Sequence, residues 1–196
     1  MDYPVFKEEM KSSYTILIPD MLPIHFKLII NILKKYGYHV ELLQTSTRAV
    51  VDEGLKNVHN DTCYPALLVI GQFINALKSG KYDVNRTALM LTQTGGGCRA
   101  SNYIHLLRKA LKKEFPQVPV ISLNLSGLEK GSGLSLTLPL LIKVVYAVFY
   151  GDLLMSLYNQ CKPYEIHSGE SESVREKWQE KLTTIFDKRE FIKCKK

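Results

Sequence analysis

The sequence predicts an α/β fold, a Rossmann or flavodoxin-like parallel sheet flanked by helices and followed by a C-terminal amphipathic helix. Two observations carry that expectation. Short apolar runs of strand length alternate with stretches whose apolar residues recur at helical spacing. Strands separated by helices imply a parallel sheet covered on both faces, because a right-handed crossover needs the intervening helix.

Taken in order, Tyr14 to Ile18 reads as a buried strand ended by Pro19, and Ile24 to Lys35 reads as a helix stopped by Gly37. His39 to Leu43 gives a second strand, Thr87 to Leu91 a third and Val118 to Leu123 a fourth. Between them, Leu67, Ile70, Ile74 and Leu77 stripe a helix after Cys63, and Ile104, Leu107 and Leu111 stripe another after Cys98. Leu134 to Tyr158 is unusually apolar but is interrupted by Pro139, Lys143, Gly151 and Asp152. A bilayer span needs about 20 consecutive apolar residues, so a core helix is expected and a membrane is not. Cys161 to Ser171, with Pro163 and Gly169, reads as a linker. Val174, Trp178, Leu182 and Ile185 then form an apolar stripe on a charged helix. That stripe must dock, either on this domain or on a further domain or second subunit. The organisation expected is residues 1–165 as one α/β half-domain, then 166–196 as a linker and helix or the start of a further domain.

With 196 residues, 45% of them hydrophobic, the chain can bury a full core. The formal charge of +7 is spread over helix faces and a mixed-sign tail rather than gathered with aromatics. A solvated surface explains it better than nucleic-acid binding, although a basic rim would also attract the phosphates of a coenzyme A thioester. Met1 is not followed by a charged and then an apolar region of the secretory kind, and the cysteine count is only four. Reduced thiols in the cytoplasm are therefore expected rather than a disulfide framework.

The chemistry centres on two cysteines. Cys63 lies in Asn60-Asp61-Thr62-Cys63-Tyr64-Pro65 and Cys98 in Gln93-Thr94-Gly95-Gly96-Gly97-Cys98-Arg99, each where a loop opens a helix. A helix start offers unpaired N–H groups and the positive end of the macrodipole, which favour a thiolate and an anionic group bound to it. Neither cysteine has a second one two to four residues away, so the spacing matches no zinc pattern. On their own both residues could equally be small buried hydrophobes. The triple glycine Gly95, Gly96 and Gly97 allows a tight turn, an anion site or close approach of a bulky cluster. It is neither a dinucleotide fingerprint nor a P-loop. Arg99 suits charge compensation or a phosphate. Tyr64 and Tyr103 either line the site or pack, while Gln93 and Asn102 are candidate hydrogen-bond donors to sulfur. His59 and His105 read as surface or core residues, and no carboxylate pair or Ser/His/Asp order stands out. Cys194, in a lysine-rich terminus, reads as an exposed bystander.

Asn60-Asp61-Thr62-Cys63-Tyr64-Pro65-Ala66, Gly71-Gln72, the run from Gln93 to Tyr103, Val118-Pro119-Val120-Ile121-Ser122 and Lys162-Pro163-Tyr164-Glu165 together resemble one family. It is the 2-hydroxyacyl-CoA dehydratases, specifically the dehydratase-like region of long proteins that fuse it to ATP-dependent activator domains. The resemblance spans roughly residues 5 to 165, and a family domain normally continues further, so the chain looks like a fragment or a shortened relative. It implies Cys63 and Cys98 as ligands of an iron-sulfur cluster of the 4Fe-4S type, with Gly95, Gly96, Gly97, Arg99, Tyr64 and Gln93 around it. Cys161 is a candidate third ligand, although the family's matching position is not reliably cysteine. Two thiolates leave the coordination to be completed by another chain, a missing segment or a non-protein ligand. The implied partners are an ATP-dependent activator, missing dehydratase domains or a second subunit, and an acyl-CoA. The implied chemistry is that of an anaerobic lyase: activated one-electron reduction of a thioester carbonyl to a ketyl radical that expels the neighbouring hydroxyl as water. A domain of this kind would not act alone. The alternatives are a non-catalytic electron-transfer module and a metal-free α/β ligand-binding domain.

Overall fold

The structure, a computed structural model, describes residues 3–59, 61–93, 103–124, 134 and 137–187. Four strands, β1 (Thr15–Pro19), β2 (His39–Leu43), β3 (Thr87–Gln93) and β4 (Val120–Asn124), form one parallel sheet in the order β2-β1-β3-β4. The helices are α1 (Pro23–Lys35), α2 (Arg48–Asn57), α3 (Tyr64–Lys78), α4 (Tyr103–Glu114), α5 (Leu138–Cys161) and α6 (Glu170–Asp187). The predicted α/β class is the one observed, and the strand order is the opening of the flavodoxin-like doubly wound order. Register is fixed by pairs such as Ile16 with Val40 and Ile16 with Ala88.

The chain divides into two compact units, one of residues 1–21 and 37–135, the other of residues 22–36 and 136–196. In the first, α3 packs on β1 and β2 while α4 packs on β3 and β4, side by side on one sheet face. Leu17, Ile70, Phe73, Leu89, Ile104 and Leu107 fill the space between helices and sheet. The helix α2 had no counterpart among the expected elements; it forms a tight pair with α3, where Gly54 meets Leu67 and Gly71 meets Val50 at backbone distance. At the far end of α3, Lys78 bridges Glu53 of α2 (2.9 Å) and Glu114 of α4 (2.8 Å), so Glu53 is held below the usual carboxylate range chiefly by that lysine.

In the second unit α5 packs against α1 and α6. Two expectations are corrected here. The core helix expected from Leu134 to Tyr158 is instead apolar on two opposite faces. Only Leu140, Ala147, Gly151 and Leu154 are buried, whereas Leu138 is 69% and Phe149 66% exposed. Gly151 and Asp152, which break its apolar run, have a structural task. They receive α1, with the His25 Nε2 atom 2.9 Å from Asp152 Oδ1 and the buried imidazole lying where a Gly151 side chain would stand. On α6 the docked stripe is Arg175, Gln179, Leu182 and Phe186, and Val174 and Trp178 are half exposed. Polar residues can form such a stripe because their groups are satisfied: Arg175 donates to Gln179 Oε1 (3.1 Å) and Gln179 donates to the Ile24 carbonyl (2.9 Å).

The segment read as a linker is a short 3-10 turn, Lys162–Tyr164, followed by the start of α6. Glu165 organises it by accepting from Lys162 Nζ (2.7 Å) and from the N–H groups of Gly169 (3.0 Å) and Ser171 (3.2 Å). Lys162 and these N–H groups pull its carboxyl down to about 2. A depressed acid stabilises the fold above its unfolded value near 4.5 and loses that contribution as pH falls toward 2. Glu165→Gln is therefore expected to lower the thermal unfolding temperature at neutral pH. The gap from wild type should close between about pH 4.5 and pH 2, followed by circular dichroism.

Candidate functional site

Doubly wound sheets gather function at the carboxyl ends of the strands, where the strand order reverses. Here that reversal falls between β1 and β3, since β2 lies on one side of β1 and β3 on the other. Gln72, buried on α3, ties two loops of this edge together: it accepts from Asp20 N–H just after β1 (3.1 Å) and donates to the Thr45 carbonyl after β2 (2.8 Å). Gln72 stood in the sequence only as a word of the Gly71-Gln72 motif. The long-range contacts that explain it carry no sequence signal.

Cys63 is the N-cap residue of α3, with extended backbone (φ −61°, ψ 147°) and its carbonyl accepting from Ala66 N–H at 3.1 Å. Pro65 in the first turn fixes the helical start there and has no N–H to satisfy. Across from it, Tyr103 opens α4 and is buried, and its hydroxyl lies 3.0 Å from Cys63 Sγ. The first turns of α3 and α4 therefore meet through a thiol and a phenol. Since α4 follows β3, this meeting point belongs to the carboxyl edge of the sheet. Cys63 itself is partly buried against the core formed by α3, α4 and the strands.

The other expected site residues divide clearly. Tyr64 is 59% exposed, so of the two tyrosines it is Tyr103 that faces the thiol. Gln93 ends β3 at the same edge, with its side chain outside the described residues. Gly95, Gly96, Gly97, Cys98, Arg99, Asn102 and Cys194 lie outside the described residues. Cys161 is an exposed thiol at the end of α5, in the second unit. His59 and His105 are surface residues, as read.

Concavities among the described residues lie away from Cys63. One of about 180 Å³, between Tyr3, Arg108 and Val120, sits at the amino end of β4, on the opposite sheet edge from Cys63. A groove of about 620 Å³ in the second unit runs between Leu157, Tyr164, Val174 and Trp178.

The donor chemistry fits one corner of an iron-sulfur cluster. Thiolates are the usual ligands, and a phenol O–H is a suitable hydrogen-bond donor to a ligating sulfur. Among the described residues no group of three or more His, Cys, Asp or Glu side chains comes together; of the cysteines expected as ligands, Cys63 stands at this edge. Fold and site define a doubly wound α/β protein with a thiol–phenol pair at its switch-point edge. No protein-family model, curated protein or solved structure matches the chain.

Proposed function

We propose that this chain is an iron-sulfur cluster-binding domain of the 2-hydroxyacyl-CoA dehydratase type, with Cys63 and Cys98 as its thiolate ligands. The observation that carries the proposal is the 3.0 Å approach of Tyr103 Oη to Cys63 Sγ, which joins the start of α3 to the start of α4. Cys98 lies in the sequence midway between Gln93, which ends β3, and Tyr103, which opens α4. In this reading the glycines before Cys98 leave room for close approach of a bulky group.

In this reading a bound cluster supplies one-electron chemistry for dehydration of an acyl-CoA, activated by an ATP-dependent partner. The protein's own contribution is positional. Pro65 and the N-cap backbone set the helix start at Cys63, the Tyr103 hydroxyl stands 3.0 Å from its sulfur and would donate to a thiolate there, and Gln72 ties together the loops after β1 and β2. Another chain or a non-protein ligand would complete the coordination, with Cys161 a candidate third thiolate.

Anaerobic reconstitution with iron and sulfide, followed by absorption and Mössbauer spectroscopy, tests the proposal. Wild type is expected to take up iron and sulfide, and Cys63→Ala and Cys98→Ala each to lose that signal with the fold retained by circular dichroism. Tyr103→Phe should still bind, with iron affinity lowered by about 10- to 100-fold, the usual cost of removing a ligand's hydrogen-bond partner. A colourless wild type, or a Cys63→Ala protein indistinguishable from it, overturns the proposal in favour of a metal-free α/β domain.

A further inference from the structure

The exposed face of α5 has a specific pattern. Leu138, Ile142, Val145 and Phe149 follow one another at spacings of four, three and four residues, the a/d rhythm of a helix-to-helix seam. All four are between 40% and 69% exposed, and Leu141 and Val148 widen the stripe on one side. The opposite face of the same helix is already used, with Leu140, Ala147, Gly151 and Leu154 buried. A helix with two apolar faces and one packed side is built to lie between two layers.

We propose that the second layer is another copy of this chain, in a two-fold antiparallel pairing of α5 with α5. Centred between Ile142 and Val145, the seam is self-complementary: Leu138 meets Phe149 of the second copy and Ile142 meets its Val145. The overlap from Leu138 to Phe149 is about 17 Å long at 1.5 Å per residue. It stops short of Asp152, whose side chain is 60% exposed and falls past Leu138, the first residue of the facing helix. The six stripe residues present on the order of 600 Å², at the lower end of what each partner of a standard-size interface contributes. That area suits a dimer in the micromolar range rather than a permanent one.

A bilayer fits the same stripe less well, although α5 is long and apolar enough by length and composition to cross one. Its charged residues are Lys143 and Asp152 alone, so it lacks the basic polar face of an interfacial helix. A span would also carry the exposed Asp152 carboxylate into hydrocarbon, which is costly.

Sedimentation velocity of the full chain under reducing conditions, so that exposed Cys161 forms no disulfide, tests the pairing. A monomer–dimer equilibrium is expected between about 1 and about 100 µM. Val145→Glu should weaken it by about 30-fold or more, the cost of a charge at the centre of a desolvated seam. Leu157→Glu, equally exposed but off the overlap, should leave it unchanged. If Val145→Glu misfolds, Phe149→Ser replaces it, with circular dichroism as the check. A monomer at every concentration overturns the proposal, as does dimerisation that Leu157→Glu abolishes or Val145→Glu spares. Wild-type monomer that co-sediments with phosphatidylcholine–phosphatidylglycerol vesicles, and loses that property in Val145→Glu, assigns the face to lipid and overturns it too.

Discussion

Gly71→Ala is expected to destabilise the protein by about 3 kcal/mol, at the upper end of overpacking costs. Helix propensity predicts the opposite sign, since replacing a mid-helix glycine by alanine gains about 1 kcal/mol. Geometry decides. An added Cβ at Gly71 would stand 2.1 Å from the Val50 carbonyl oxygen and 3.0 Å from the Gly54 nitrogen, both backbone atoms that cannot rotate away. The helices would have to separate, and the reciprocal contact of Gly54 with the Leu67 carbonyl, 2.4 Å from the position of its own absent Cβ, would separate with them. Because α3 carries Cys63 at its start, the same displacement should also loosen the Cys63–Tyr103 contact. Urea denaturation followed by circular dichroism reads the stability directly. A Gly71→Ala protein as stable as wild type would show that α2 and α3 do not pack at backbone distance.

Fold and site differed in how openly they were written in the sequence, and the difference has a physical basis. The strands were legible because Ile16, Leu17, Leu89 and Ile121 are buried in a sheet and so leave apolar runs. The helix α2 was not, because it buries only Val50 and Gly54, and a glycine makes no apolar stripe. On α6 a search for apolar periodicity found Val174 and Trp178, one position before the true stripe begins at Arg175, because that stripe is held partly by hydrogen bonds. On α5 apolar composition implied burial, yet composition cannot tell which layer a residue meets, and one face of the helix is bare. At the site, Cys63 was legible from its place before Pro65 at a helix start. The Tyr103 contact was not, since it joins residues 40 positions apart. Glu165 was part of a motif word, and the structure gives it a local task, holding the turn into α6.

The second large effect is expected at Gly151. A Cβ there would lie 2.4 Å from His25 Cδ2 and within 2.9 Å of two more ring atoms. The ring is buried and its Nε2 is bonded to Asp152, so moving aside means breaking that bond and opening the α1–α5 contact. Gly151→Ala should therefore cost about 2 to 3 kcal/mol, again against a propensity gain of about 1 kcal/mol. His25→Ala should cost a similar amount through the lost packing of a buried ring, the exposed Asp152 carboxylate turning to water instead. The two changes share one volume, so they should not add: with the ring gone, the new methyl occupies space the ring has left. The double variant is expected to be no less stable than His25→Ala alone, a coupling of about 2 kcal/mol in a double-mutant cycle measured by urea denaturation. Strict additivity would mean that Gly151 and His25 do not face each other across the α1–α5 contact.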